Sequence, residues 1–179
     1  MVSPEFSVHV HSSFIEYRVE NWHISRDGTG KRVMGATTWT WYHPFIALAV
    51  AVIWPYVRDD SLKLLALTLG VMLLIYRMCT QVLFESVIVV KSHGIQLETH
   101  RGMPGLPPLA VRRRFLPFSS LQDFVIHEGL SGWNVRYYLA AIVKTDADDY
   151  KVDVAFENIL PHFPILREVY LGVQDELPA

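Results

Sequence analysis

The sequence predicts an α+β fold in which a hydrophobic helical hairpin precedes an antiparallel sheet closed by one amphipathic helix. Three observations lead there. Two apolar segments, 39–57 and 62–84, are joined by a four-residue connector; short alternating segments follow from Glu85; and the spacing turns helical after Pro161. The 179 residues suffice for one domain with appendages. A formal net charge of -2 lacks the basic excess that a nucleic-acid partner requires. A single cysteine, Cys79, excludes an intrachain disulfide framework. The mixed polar start, residues 1–17, does not read as a signal peptide.

Residues 1–38 form the first predicted unit. Phe6, Val8 and Val10 alternate with Ser7, His9 and His11, which suits a short strand, and residues 25–30 are turn-like. The unit as a whole is expected to be loosely structured, or ordered only by a partner.

Residues 39–84 form the second unit, the hairpin. Its uninterrupted apolar parts, 44–57 and 64–76, fall short of the roughly 20 residues that cross a bilayer core. Trp39, Trp41, Tyr42, Trp54, Tyr56 and Tyr76 nevertheless sit near the ends, as an aromatic belt does, and Lys63 and Arg77 lie where a long side chain snorkels. Two buried helices of a soluble bundle are the alternative, but such helices normally carry a polar face and neither run has one. Lys31 and Arg32 precede the hairpin, and Lys91, Arg101 and Arg112 to Arg114 follow it. Between them Arg58 and Lys63 are offset by Asp59 and Asp60, so the charge bias puts both termini in the cytosol.

Residues 85–179 form the third unit. Residues 87–90 and Ile95, Leu97 and Thr99 read as a hairpin with Gly94 at its turn, and the membrane segment ends by about Phe84. Further strands are expected at 111–118, 124–126, 133–144 and 151–156, the last with Val152, Val154 and Phe156 inward and Lys151, Asp153 and Glu157 outward. The acidic stretch 146–149 is the turn before it. Phe163, Leu166, Val169, Tyr170, Val173 and Leu177 recur at helical spacing, with Pro161 and Pro164 marking the start. Such a sheet with a C-terminal helix across one end is the pleckstrin-homology-like plan, although other small barrels and sandwiches share the pattern.

Few residues invite chemistry. His9 and His11 share a strand face, yet lack the companions of a metal site and read more simply as exposed polar residues. Arg112, Arg113 and Arg114 are candidates for anionic-lipid contact, with Arg112 and Arg114 on one face and Arg113 on the other; a charge-protected edge strand explains them equally well. Arg77 and Cys79 are assigned to positioning and packing, with palmitoylation of Cys79 a weaker reading. No phosphate loop, nucleophile elbow, metal motif or cofactor signature is present in the sequence, so it is read as a non-enzyme without cofactor or metal.

Several stretches, taken in order, resemble the PIG-H family, a component of phosphatidylinositol N-acetylglucosaminyltransferase. They are Glu85-Ser86-Val87, Gly94-Ile95-Gln96-Leu97, Phe115-Leu116, Val125-Ile126-His127-Glu128, Val135-Arg136-Tyr137-Tyr138-Leu139 and Leu166-Arg167-Glu168-Val169-Tyr170. His127 stands where the family usually has Asn, the loop 102–108 is proline-rich, and residues 1–38 show no match. Glu85, Gly94, Gln96, Glu128, Tyr137 and Tyr138 are the motif positions that the resemblance marks. It implies a non-catalytic subunit of the endoplasmic reticulum complex that begins glycosylphosphatidylinositol (GPI) anchor synthesis. There it would hold the catalytic subunit (PIG-A), which transfers N-acetylglucosamine (GlcNAc) from UDP-GlcNAc to phosphatidylinositol, beside other membrane subunits. A membrane-anchored, pleckstrin-homology-like lipid-binding module acting alone is the alternative.

Overall fold

The computed structural model describes residues 4–24, 32–34, 43–102, 107–131, 133–145 and 149–177. Two strands open the chain, β1 (Pro4–Val10) and β2 (Phe14–Ile24), followed by the short β3 (Arg32–Met34). Helices α1 (His43–Val57) and α2 (Ser61–Cys79) come next. Then β4 (Gln81–Val90), β5 (Gly94–Gly102) and β6 (Ala110–Pro117) form one antiparallel run, and β7 (Leu121–Ser131), β8 (Asn134–Lys144) and β9 (Tyr150–Ala155) a second. Helix α3 (Phe163–Gln174) closes the chain. The first sheet has the order β1-β2-β4-β5-β6 with β3 beside β2, and the second is β7-β8-β9.

The core lies between the two sheets and α3. Strand β2 contributes Tyr17 and Val19, β4 Val87 and Val89, and β5 Ile95. They meet Phe124 and Leu139 of the second sheet and Leu166, Val169 and Val173 of α3. The three α3 residues recur every three or four positions, so one stripe of the helix is wholly buried while Arg167 and Glu168 stay exposed. Gly172 lets α3 approach β2: a Cβ there would lie 1.8 Å from the Tyr17 Oη. Burial, together with Glu168, Asp175 and Glu176, pushes the Tyr17 hydroxyl pKa up.

Three expectations change. Within residues 1–38, the turn expected at 25–30 lies outside the described residues, but 4–24 are not loose: β2 lies between β1 and β4, pairing Phe14–Val90 through Glu20–Phe84. Its alternation of Ile15, Tyr17 and Val19 with Glu16, Arg18 and Glu20 is the pattern of a half-buried strand. The helical hairpin is therefore inserted within the sheet's own sequence rather than placed ahead of it. Second, α2 ends at Cys79 and β4 starts at Gln81, so 82–84 belong to the sheet. Leu83, the extra residue at a register shift between Val82 and Phe84, is buried there. Third, β9 faces the other way. Asp153 and Ala155 are buried opposite Ala141 and Leu139, while Val152 is 57% exposed. An ion pair accounts for this inversion, as described below. Phe156, just past the strand, does turn inward.

The β4–β5 turn also departs in detail. Ser92 takes the positive φ of 61°, and Gly94 instead admits β6, since a Cβ on it would sit 2.3 Å from the Leu116 carbonyl oxygen. The turn residues 146–148 lie outside the described residues.

Helices α1 and α2 join through a tight connector in which Asp60 caps α2, its carboxylate accepting from the Leu62 N–H at 3.1 Å. Their apolar side chains are largely uncovered, including Phe45, Leu48, Val52, Trp54, Leu65, Leu69 and Met72. Among the described residues, no helix is long and apolar enough to cross a membrane.

Candidate functional site

The two sheets meet along a shallow cleft lined by Glu85, Thr99, Arg112, Arg114, Phe156 and Glu157, among others. Register explains who faces it. Glu85 of β4 pairs with Thr99 of β5, and Thr99 with Arg112 of β6; Arg114 lies two residues on and opposite Leu97. With a period of two, these side chains share one face, while Glu98 and Arg113 share the other.

Glu85 is 2% exposed, and its carboxylate is fully engaged. One oxygen accepts from the Thr99 hydroxyl at 3.2 Å and from Asn158 Nδ2 at 2.7 Å. The other accepts the backbone N–H groups of Asn158 at 3.2 Å and Ile159 at 3.1 Å. Those N–H groups belong to the link between β9 and α3, where Phe156 and Leu160 adopt φ of 57° and 46°. Backbone in this region is unfavourable for side chains with a Cβ, and buried hydrogen bonds hold it there. Glu85 thus fastens the first sheet to the segment that delivers α3.

Each of the three arginines faces a carboxylate of this chain. Arg114 pairs with buried Asp153, which Lys151 also reaches at 3.3 Å. This pairing compensates the desolvated carboxylate and turns Asp153 inward, against the simple apolar-in pattern. Arg112 lies 3.7 Å from Glu157, and Arg113 Nε donates to Glu98 at 2.8 Å. Arg112 and Arg114 share a face and Arg113 the opposite one, as the spacing predicts.

On that outer face Glu98 is the centre of a polar network. Burial pushes its pKa up, but hydrogen bonds from His100, Gln96 and Arg113 outweigh burial and hold the carboxyl below its usual range. Gln96 Nε2 donates at 2.5 Å, and His100 Nε2 lies 2.7 Å from the second oxygen. The His100 ring stacks on Phe84 with centroids 4.0 Å apart, and the Arg18 guanidinium sits 4.5 Å from the Phe84 ring. Carboxylates matched to cations and amides in this way build a rigid joint. They are not arranged as a nucleophile with its base.

The remaining motif residues stand on the second sheet. Glu128 pairs with Tyr137 in register and hydrogen-bonds its hydroxyl, which raises the hydroxyl pKa. The Tyr137 ring packs 5.0 Å from Phe163 at the start of α3. Tyr138 turns to the opposite face, beside His127 at 6.1 Å and across Gly129, where a Cβ would lie 2.9 Å from its ring. The six motif positions therefore do not converge on one site. Asp153 and Asn158, which complete the joint, escape a reading by hydropathy because they are polar. The arginine run was the sequence signal that buried carboxylates were needed. The His9 imidazole lies 3.2 Å from the Ser7 hydroxyl, and among the described residues no cluster of metal-ligating side chains forms.

Residues 86–157 match the family model described as "GPI-GlcNAc transferase complex, PIG-H component". The chain is also 24% identical over 113 residues to the phosphatidylinositol N-acetylglucosaminyltransferase subunit gpi15 of Schizosaccharomyces pombe. That alignment covers 63% of this chain and 66% of the relative, just under two thirds of the latter's length. No solved structure matches. The matched region runs from β4 through β9 and contains the Glu85-adjacent strand pair, the arginine strand and the Tyr137–Tyr138 strand. Over this region, about two fifths of the chain, the sequence is similar to the PIG-H component.

Proposed function

We propose that the chain is a non-catalytic subunit of the GPI-GlcNAc transferase complex, supporting the catalytic subunit (PIG-A) at the endoplasmic reticulum membrane with both termini cytosolic. The match of residues 86–157 to the PIG-H component carries this reading. The name of the related gpi15 protein agrees with it. A sheet joint made of paired charges suits a scaffold more than a reaction centre.

Two finer points belong to the same proposal. A meander of β4, β5 and β6 beside β2, a second three-stranded meander and a C-terminal helix support the pleckstrin-homology-like plan. The uncovered apolar faces of α1 and α2 support a hairpin seated in lipid. With 15 and 19 residues, the helices are about 22 and 28 Å long, against a hydrocarbon core of about 30 Å. A re-entrant hairpin entering from the cytosolic leaflet fits those lengths.

The stand-alone lipid module gains less support, since the carboxylates facing Arg112, Arg113 and Arg114 offset their attraction for anionic lipid. The test is co-purification of the tagged full chain from membranes in mild detergent. Recovery of a glycosyltransferase that moves GlcNAc from UDP-GlcNAc to phosphatidylinositol, lost when the chain is depleted, is the expected outcome. A monomer that binds vesicles alone, with transfer unaffected by its depletion, would overturn the proposal.

A further inference from the structure

Beyond the hairpin, the geometry points to a second lipid contact, and we propose that the β5–β6 end of the first sheet forms it. The inference rests on the reading that α1 and α2 enter a membrane. Helix α2 passes into β4 through Thr80 alone, and Gln81, the first residue of β4, pairs with Gly102. One step away Arg101 pairs with Ala110, and the Leu109 N–H donates to the Arg101 carbonyl at 2.9 Å. The root of α2 and the start of β6 therefore sit at the same level of the sheet, within a residue step of about 3.3 Å. Two strand spacings, about 10 Å in all, separate them sideways. An interfacial zone reaching about 5–10 Å into the headgroup and acyl boundary around the hairpin takes in both.

The residues at that end suit lipid. Pro107, Pro108 and Ala110 are exposed, Leu109 is 63% exposed and Val111 39% exposed. Strand β6 is last in the sheet order, and among the described residues no further strand pairs with it. Arg77 in the last turn of α2 and Arg101, level with Ala110, supply cations at headgroup height. Apolar side chains interleaved with basic ones, beside an inserted hairpin, suit the interfacial zone of a leaflet. The contact would fix the tilt of the sheet domain relative to the bilayer.

The test uses the full chain in a Cys79→Ser background, reconstituted in vesicles of phosphatidylcholine and phosphatidylinositol. Spin labels are placed singly at Leu109→Cys, Val111→Cys, Ser119→Cys and Val52→Cys. Accessibility to oxygen is compared with accessibility to a water-soluble nickel chelate. Labels at 109 and 111 are expected to shift toward oxygen and away from the chelate, as at 52, while 119 at the far end of the sheet remains chelate-accessible. A lipid-buried label at 52 with water-exposed labels at 109 and 111 would refute the second contact and leave the hairpin standing. Water exposure at all four positions would refute the hairpin and the contact together.

Discussion

Replacing Glu85 by Ala tests whether this motif position is a structural clamp or a contact for a partner. The change removes the acceptor of four hydrogen bonds at 2.7 to 3.2 Å. Asn158 is exposed, so its groups can turn to water, whereas the Ile159 N–H and the Thr99 hydroxyl lie in partly buried surroundings. Each buried donor left without an acceptor costs about 1–3 kcal/mol. Allowing for relaxation toward solvent, a loss of about 2–4 kcal/mol is expected for Glu85→Ala. Release of the link also frees Phe156 and Leu160 from positive φ, which recovers part of the cost and favours local opening next to α3. Glu85→Gln, with one acceptor oxygen kept, should lose less. The assay is urea unfolding of the full chain in detergent, with hydrogen exchange at 156–160 as the local readout. Stability within about 0.5 kcal/mol of the parent, with unchanged exchange at 156–160, would refute the clamp. Normal stability combined with loss of the partner would make Glu85 a contact residue instead.

Other outcomes follow from the same geometry. Gly172→Ala should cost about 1–3 kcal/mol by driving a methyl group into the buried Tyr17 ring, and Tyr17→Phe should restore part of it; an unchanged melting temperature would show that α3 docks otherwise. Glu98 has a folded pKa below its usual value, so its contribution to stability is full above the ordinary glutamate range and is lost as pH falls through the lowered value. Glu98→Gln should therefore flatten the acid side of the stability profile, and an acid limb identical to the parent's would contradict the network. Glu128→Gln should bring the Tyr137 hydroxyl pKa down toward that of an ordinary tyrosine, measured as an earlier ultraviolet titration step, and no change would place the two side chains apart.

Local pattern by itself determined the α+β plan, the two helices of the hairpin, the existence of strands β5 to β9 and the buried stripe of α3, although β7, expected at 124–126, runs over Leu121–Ser131. Residue order also carried the family resemblance, since the motifs lie on the consecutive strands β4 to β8 and on α3. Three features were decided only by tertiary structure. Strand β2 is central because it pairs across the inserted hairpin with β4, a link of more than sixty residues that local alternation cannot reveal. Asp153 is buried because Arg114 comes to it from a strand on the other sheet, so a long-range charge pair overrode the hydropathy that had turned Asp153 outward. Glu85 became a clamp only once its loop, seventy-odd positions later, was folded against it. Local spacing sets which face a side chain takes; which polar side chains that face can bury is set by partners distant in sequence.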